Sequence, residues 1–206
     1  MENNKKKIQK FSSSDPKLKE LYMFCIERHT EDEIRECIDQ NYEYFVYDIG
    51  LFSVLISHNV VSEKLLEEIN ILTITPVWTT GRLDWILVVE YQKLSESFID
   101  RYCKYFDKRI WSAISVFQKL SESFIEKHEK EVNWNNICKY QVLSDEFIIK
   151  YKSKLNSSDL SRYQVLSEDT IWKYRKSLDL DYIIHNHPLI SETFKSKLIL
   201  YTLNHN

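Results

Sequence analysis

The chain has almost no glycine and little proline. Gly50 and Gly81 are its two glycines, and Pro16, Pro76 and Pro188 are its three prolines among 206 residues. So few glycines and prolines do not suit a protein of many β-hairpins, whose turns draw heavily on both residue types. The scarcity therefore favours helices over strands.

Long apolar runs and blocks of charge of one sign are also lacking. No apolar stretch reaches the roughly 18 to 20 residues that span a bilayer, and no apolar signal segment is present. The 28 basic and 31 acidic residues are mixed and give a net charge of −3, whereas a nucleic-acid binder usually carries a basic stripe. We therefore expect a folded cytoplasmic protein with no membrane contact.

Recognisable catalytic and metal-binding patterns are missing too. The four cysteines form no CxxC pair, so we expect free thiols, with neither disulfides nor a zinc site. The HNH triplet from His185 to His187 lacks the spread of residues that a nuclease site needs. There is no GxSxG elbow and no glycine-rich phosphate loop. We expect no catalytic residue, no bound metal and no cofactor, and so no enzyme.

What the chain does contain is an internal repeat. The strong copies are YQKLSESFI at Tyr91, FQKLSESFI at Phe117, YQVLSDEFI at Tyr140 and YQVLSEDTI at Tyr163, which start 26, 23 and 23 residues apart. Weaker copies are HNVVSEKLL at His58 and HPLISETFK at His187. Recurrence at a short fixed period is the signature of a repeat architecture.

The residues before each copy predict a short helix, called helix A. An aromatic residue lies six positions before the motif at Phe52, Trp85, Trp111 and Trp134. An aliphatic residue lies three positions before it at Leu55, Val88, Ile114, Ile137, Leu160 and Ile184. With the motif's opening aromatic, this i, i+3, i+6 spacing predicts one apolar face. We expect the tryptophans to pack in the core and the opening Tyr, Phe or His to lie on the same face.

A serine followed by an acidic residue predicts the start of a second helix, called helix B. It recurs at Ser62, Ser95, Ser121, Ser144, Ser167 and Ser191. A serine hydroxyl accepts hydrogen bonds from the free amides of a starting helix, and an acid suits the positive end of the helix dipole. Apolar residues three, four and seven positions after the serine, such as Phe147, Ile148 and Tyr151, predict the buried stripe of helix B.

Two short helices cannot bury their apolar stripes alone, but stacked copies can bury them for one another. We therefore predict an all-α fold: an α-solenoid of about six two-helix repeats of 23 to 26 residues with an N-terminal helical cap. Its predicted parts are a mobile tail over 1–13, the cap over 14–50, the array over 51–198 with an inserted loop at 70–84, and a C-terminal end over 199–206.

The two ends carry their own signals. Asp15 and Pro16 predict the start of a first cap helix, and Thr30 with Glu33 resembles a capping box that starts a second. At the other end, we expect Phe194, Leu198 and Leu203 to shield the core.

The phrase YQKLSESFI and the arrangement W-x-x-I-x-x-Y-Q resemble tandem short two-helix repeats of giant viruses and large phages. The resemblance covers roughly residues 52–198. It implies a repeat array and brings no active site with it. It also implies that the partner is a host protein, such as a defence component, which this chain would block or adapt.

The leading hypothesis is a non-catalytic protein-interaction module, as a monomer or homodimer. The inserted segment contains Pro76 and Gly81, and an insertion in a repeat often forms a binding loop. Its candidate protein-binding residues are Trp78, Thr79, Thr80 and Arg82, since tryptophan and arginine are enriched at interfaces. In the alternative reading, the insertion is only a connection, with Trp78 packed inside.

A second hypothesis is the binding of nucleic acid or of a nucleotide signal. The C-terminal copies are the more basic ones. Their candidate residues are Lys139, Lys150, Lys152, Arg162, Lys173 and Arg175. Steeply salt-dependent oligonucleotide binding would support this hypothesis.

Overall fold

The computed structural model describes residues 15–73 and 84–205. Within these two ranges all regular structure is helical, so the predicted all-α class is confirmed for them. The chain divides into two compact units, one ending at Lys104 and one beginning at Tyr105. The predicted tail over 1–13 lies outside the described residues. None of the described helices combines the length and the apolar character needed to cross a bilayer.

The first unit holds seven α-helices among its described residues. They are α1 (Pro16–Ile26), α2 (Glu31–Gln40), α3 (Tyr42–Tyr47), α4 (Ile49–His58), α5 (Glu63–Thr73), α6 (Trp85–Tyr91) and α7 (Glu96–Tyr102). A 3₁₀ turn follows at Cys103–Tyr105. Helix α4 packs against α1 and α6. Helix α5 continues through Thr73, into the segment predicted as a loop.

The second unit holds eight α-helices between residues 105 and 205, the part of it that the structure describes. They are α8 (Lys108–Phe117), α9 (Glu122–Lys127), α10 (Trp134–Tyr140), α11 (Asp145–Lys150), α12 (Ser157–Tyr163), α13 (Glu168–Tyr174), α14 (Leu180–Asn186) and α15 (Glu192–His205). The A helices pack in chain order, α8 on α10, α10 on α12 and α12 on α14, and α15 packs on α14.

The predicted helix starts of the first two helices are confirmed. A carboxylate oxygen of Asp15 accepts a hydrogen bond from the amide of Lys17 at 2.9 Å, with Pro16 in the first turn of α1. The amide of Thr30 donates to the Glu33 carboxylate at 2.7 Å, and the amide of Glu33 donates to the Thr30 hydroxyl at 3.3 Å. This reciprocal pair is the capping box of α2.

All six predicted serine caps are present. In each copy the serine hydroxyl accepts a hydrogen bond from the amide three residues later, at 3.1 or 3.2 Å, in Ser62, Ser95, Ser121, Ser144, Ser167 and Ser191. An N-cap of this kind contributes about 1 kcal/mol to a helix.

The tryptophans of helix A pack against the aromatic stripe of helix B. The ring centroid of Trp134 lies 6.2 Å from that of Phe147 and 5.0 Å from that of Tyr151. Trp111 lies 4.8 Å from His128, which occupies the same position as Tyr151. Trp85 and Trp111 are buried, as predicted for the core, and Trp134 is half-buried between helix A and helix B.

The prediction that the motif's opening aromatic residue lies on the buried face of helix A is wrong. Phe117 is 51% exposed, whereas Trp111 and Ile114 are buried. With 3.6 residues per turn, position i+6 lies about 120° away from position i, but position i+7 lies about 20° away. The side chain that shares the face of Trp111 is therefore Gln118, which is buried.

The C-terminal end is closed by fewer side chains than expected. Phe194 and Leu198 are buried, as predicted, but Leu203 is exposed. Helix α15 runs on to His205, beyond the helix that it packs against. Its last turn therefore presents Leu203 to solvent.

Candidate protein-binding surface

The glutamine that follows the opening aromatic is buried and bonds to the preceding copy. The side-chain amide of Gln141 donates to the backbone carbonyls of Ser115 at 3.1 Å and Gln118 at 2.8 Å. Its oxygen accepts from the amide of Leu120 at 3.0 Å. Gln164 makes the equivalent three hydrogen bonds to the copy before its own, at 2.7, 2.8 and 3.2 Å. We call Gln141 and Gln164 the glutamine ladder.

Gln92 makes the same set of hydrogen bonds in the first unit. The side-chain amide of Gln92 donates to the carbonyls of Ile56 and Asn59, at 2.6 and 2.8 Å. Its oxygen accepts from the amide of Val61 at 3.0 Å. Asn59 in turn donates to the carbonyl of Cys25 at 3.0 Å. Helix α1, whose sequence lacks the repeat motif, is therefore bonded to the end of α4 in the way that one repeat copy is bonded to the following one.

In the last copy, the turn between helix A and helix B is one residue longer than in the copy before it. His187 caps α14, four residues before Ser191, whereas Gln164 caps α12 three residues before Ser167. The amide of Leu166 donates to Nε2 of His187 at 3.1 Å. The expectation that His187 takes the aromatic position is therefore wrong, because it stands where the other copies have glutamine. Burial lowers the pKa of His187 from its ordinary value of 6.5.

The register shift also moves the aliphatic position before His187. The cap amide of His187 donates to the carbonyl of Ile183, whereas the predicted residue was Ile184. In the other copies the cap amide bonds to the predicted aliphatic residue itself, for example Ile137. Both Ile183 and Ile184 are buried, so the error concerns register rather than burial.

The acid after each serine makes contacts that helix-dipole reasoning did not predict. The amide and hydroxyl of Ser144 donate to the Glu122 carboxylate at 2.5 and 3.1 Å. The amide of Ser191 likewise donates to Glu168 at 2.7 Å, and this bond lowers the pKa of Glu168. Glu122 and Glu168 therefore each join the start of their own helix B to the start of the next one.

Three aromatic side chains at the same repeat position remain exposed on the second unit. Phe117, Tyr140 and Tyr163 are 51%, 57% and 53% exposed. Two residues after the tyrosines, Val142 and Val165 are also exposed. We call these five residues the aromatic row. Since the glutamine next to each tyrosine bonds to the preceding turn, these side chains project from neighbouring turns.

Two cations lie beside the aromatic row. Nζ of Lys139 is 5.8 Å from the ring centroid of Tyr163 and 3.5 Å from a carboxylate oxygen of Asp159. The guanidinium of Arg162 is 3.8 Å from the Asp179 carboxylate. Both cations directly precede a tyrosine of the row, and each is paired with an aspartate carboxylate.

The other predicted nucleic-acid residues lie on the B helices or just beyond them. Nζ of Lys150 is 2.7 Å from the Glu126 carboxylate, and Lys152 donates to the hydroxyl of Ser157 at 2.6 Å. Nζ of Lys173 lies 5.6 Å from the ring centroid of Tyr174. The predicted basic residues are thus divided between the end of helix A and the end of helix B.

Arg175 forms a separate cluster with aromatic rings. Its guanidinium lies 4.4 Å from the ring centroid of Trp172 and 5.0 Å from that of Tyr201. One of its terminal nitrogens donates to the backbone carbonyl of Trp172 at 2.5 Å. Nζ of Lys197 lies over the same indole at 3.8 Å. The role of Arg175 in the structure is to pack against α15.

The predicted loop residues Trp78, Thr79, Thr80 and Arg82 lie outside the described residues. The structure therefore adds nothing to that part of the hypothesis, and it stays a prediction.

The buried thiols are poor nucleophiles. Burial raises the pKa of Cys25 to about 12 and that of Cys138 to about 11. A thiol of this kind is not a thiolate at neutral pH. In the described part of the chain, His, Cys, Asp and Glu side chains do not gather in the groups of three or more that hold a metal ion.

Comparison with known protein families, curated proteins and solved structures found no match to this chain. Sequence reasoning missed both the glutamine ladder and the aromatic row. The signal for the first was present, because glutamine follows the opening aromatic in all four strong copies. The signal for the aromatic row was the i+6 position of its aromatic residues, because position i+6 does not lie on the buried face of helix A.

Proposed function

We propose that the chain is a helical solenoid that binds another protein through the aromatic row of its second unit, without catalysing a reaction. The observation that carries this proposal is the exposure of Phe117, Tyr140 and Tyr163 in successive copies. Exposed apolar side chains are common singly, but a contiguous set marks an interaction site. Aromatic residues also dominate the energetics of protein interfaces.

The solenoid part of the proposal is supported by how the copies are joined. Helices α8, α10, α12 and α14 pack in chain order, and the glutamine ladder bonds each turn to the one before it. The Ser144 and Glu122 pair does the same at the start of helix B. Nearest-neighbour contacts of this kind define a solenoid. Among the described residues of the second unit, four helix pairs follow one another in this way, from α8 and α9 to α14 and α15.

The chemistry of the aromatic row suits binding. Its members are aromatic and aliphatic, and its flanking groups are the side chains of Lys139 and Arg162. None of these groups is a nucleophile paired with a base, which is the arrangement that covalent catalysis uses. The resemblance to repeats of giant viruses and phages makes a host protein the proposed partner.

Binding of nucleic acid is the second candidate, and its support is narrower. Lys139 and Arg162 lie beside exposed tyrosines, and single strands are bound by cations together with stacking rings. Against it, Lys139, Lys150 and Arg162 each lie within 4.0 Å of a carboxylate. A carboxylate at that distance offsets the attraction of a phosphate backbone.

The test is affinity capture with the tagged chain from a lysate of its natural host, compared with a Tyr140→Ser/Tyr163→Ser variant. Both substitutions lie at exposed positions, so the fold should survive, as helical circular dichroism would show. The matched control is Lys150→Gln/Lys173→Gln, which changes exposed residues at the ends of α11 and α13. A protein that is retained by the control and lost with the tyrosine variant supports the proposal. Retention by all three forms refutes the row as the binding surface.

A further inference from the structure

We propose that a second surface, at the end of helix α13, binds single-stranded nucleic acid without sequence preference. Its residues are Lys152, Lys173 and Tyr174, and we call it the Tyr174 surface. It shares no residue with the aromatic row, so the inference goes beyond the proposed function and does not rest on it. Three observations carry it: the charge of the B-helix ends, an ion pair that is missing in this copy, and an aromatic ring that no other ring covers.

The B-helix ends of the last three copies carry cations and no acid. Residues 147–158, 170–178 and 193–206 contain neither Asp nor Glu, but they contain three, three and two lysines or arginines. The equivalent segment of the copy before them, 124–132, contains Glu126, Glu129 and Glu131. Cations without intervening acids suit a partner that carries a negative charge at every unit, as a nucleic-acid backbone does.

This change of charge removes an ion pair that other copies make. In those copies, the residue five positions after the capping serine is an acid, and it pairs with the cation six positions after the next capping serine. The pairs of this kind are Glu67 with Arg101 and Glu126 with Lys150. The corresponding partner of Lys173 would be the residue at position 149, which is isoleucine. Within the described ranges Lys173 therefore has no carboxylate at ion-pairing distance, and its side chain is exposed.

The same copy leaves one aromatic ring without a packing partner. In the preceding copy, the ring of Tyr151 packs on Trp134 of helix A, with centroids 5.0 Å apart. The residue equivalent to Trp134 in the copy of α12 and α13 is Ser157, and the residue equivalent to Tyr151 is Tyr174. No other ring in the described part of the chain packs against Tyr174. Its half-buried ring can therefore stack on a base.

Two lysines lie beside this ring. Nζ of Lys152 is 5.7 Å and Nζ of Lys173 is 5.6 Å from the ring centroid of Tyr174. Nζ of Lys152 also donates to the hydroxyl of Ser157 at 2.6 Å. Like Lys173, Lys152 has no carboxylate partner among the residues that the structure describes. A ring with unpaired cations beside it is the combination that binds single strands, whose bases stack on rings while their phosphates contact cations.

The chemistry of these groups favours a single strand over a duplex or an acidic protein. The unpaired cations at the ring are lysines, which bind phosphates as point charges, whereas arginine provides the planar fork that matches a carboxylate. The nearby Arg175 is held between the rings of Trp172 and Tyr201. In a duplex the bases stack on one another, so the ring of Tyr174 would have no base to contact.

The test is a titration of fluorescein-labelled twelve-nucleotide oligothymidine with the full chain, followed by fluorescence anisotropy over a series of salt concentrations. The variants of the surface are Lys152→Gln/Lys173→Gln, Tyr174→Leu, Tyr174→Phe and Ile149→Glu. Helical circular dichroism shows whether each variant is folded.

The Ile149→Glu variant and the matched control isolate the missing ion pair. Ile149→Glu removes no cation, but it supplies Lys173 with the acid that Lys150 finds in Glu126. The control is Lys150→Gln/Lys154→Gln, which removes as much charge as the Lys152 and Lys173 variant does. The cations that it removes are already paired with carboxylates, at 2.7 and 3.1 Å.

We expect the Lys152 and Lys173 variant to lose about tenfold or more in affinity. Its slope of log Kd against log salt should fall by about 1.4, since each phosphate contact on a single strand contributes about 0.7. Tyr174→Leu and Ile149→Glu should each lose about fivefold or more, whereas Tyr174→Phe keeps the ring and should bind as the original chain does. The control should lose less than about threefold, because a paired cation attracts a phosphate weakly.

Several outcomes would overturn the inference. One is a loss in the control equal to that of the Lys152 and Lys173 variant, because binding would then follow net charge alone. Another is the absence of binding up to about 1 mM. Equal or tighter binding of a twelve-base-pair duplex, or of a twelve-residue polyglutamate peptide, would assign the surface a different partner.

The aromatic row separates this inference from the proposed function. The Tyr140→Ser/Tyr163→Ser variant should bind the oligothymidine as the original chain does. Loss of binding in that variant would move the nucleic acid to the row and overturn the inference. Failure with the oligothymidine alongside row-dependent capture of a lysate protein would leave the proposed function standing and remove only this inference.

Discussion

The side chain of Gln164 donates a hydrogen bond of 2.8 Å to the backbone carbonyl of Gln141, which lies 23 residues earlier in the chain. The side chain of Gln141 donates in the same way to the carbonyl of Gln118, at 2.8 Å. Each buried glutamine therefore bonds to the turn that carries the previous one. This links the copies through backbone groups that sequence variation between copies does not alter.

We predict that Gln141→Leu destabilises the chain by about 2 to 4 kcal/mol. The substitution keeps the volume but removes three hydrogen bonds, and a buried backbone group without a partner costs about 1 to 3 kcal/mol. Urea unfolding measures the change. Val142→Thr is the matched control, because Val142 is the exposed neighbour and its change should stay within about 0.5 kcal/mol. Equal stability of Gln141→Leu and the original chain would show that the ladder contributes nothing.

Two aromatic positions of α8 should respond differently to truncation. We expect Trp111→Ala to cost about 3 to 5 kcal/mol, since Trp111 is buried against Phe124 and His128. We expect Phe117→Ala to cost about 1 kcal/mol or less, because half of that side chain is already in solvent. Thermal or urea unfolding of the two variants under the same conditions measures the two losses of stability. Similar losses would mean that Phe117 belongs to the core.

The bond between Ser144 and Glu122 should appear as coupling between two copies. We expect Ser144→Ala to destabilise by about 1 kcal/mol, because it removes both the N-cap and one contact with Glu122. In a double-mutant cycle with Glu122→Gln, the two changes should be less than additive. Strict additivity would indicate that the acid acts only on its own helix dipole.

Acid should weaken the last copy through His187. Its folded-state pKa lies below 6.5, so the unfolded chain binds the proton more readily and stability falls as pH decreases below 6.5 towards that lower value. Above pH 6.5 the contribution is fully present. Protonation of Nε2 would also remove the acceptor for the amide of Leu166. Unfolding free energies measured from pH 7.5 to 5 should decline less for His187→Gln than for the original chain.

The helix starts and the core of helix B could be predicted because the interactions that define them are local. A serine cap needs only the amide three residues later, as between Ser144 and Phe147. The buried pair of Phe147 and Ile148 follows from helical spacing within one short segment. These signals lie within one copy, so one sequence contains them.

The ladder and the row could not be predicted in the same way. The role of Gln141 depends on backbone carbonyls of another copy, at Ser115 and Gln118, which spacing within one copy does not reveal. Phe117 was assigned to the core because steps of three residues drift off a face that repeats every 3.6. His187 was misplaced because one added residue in the turn shifts the register.

The most direct test of the account is site-specific photo-crosslinking, with benzoylphenylalanine replacing Tyr140 in one form and Tyr163 in another. Equivalent replacements of Leu200 and Met23, which are exposed elsewhere, serve as controls. Each form is irradiated in a lysate of the natural host, and the adducts are identified by mass spectrometry. The account predicts that the same protein is joined to positions 140 and 163, and not to positions 200 and 23. Adducts confined to positions 200 or 23 would contradict it.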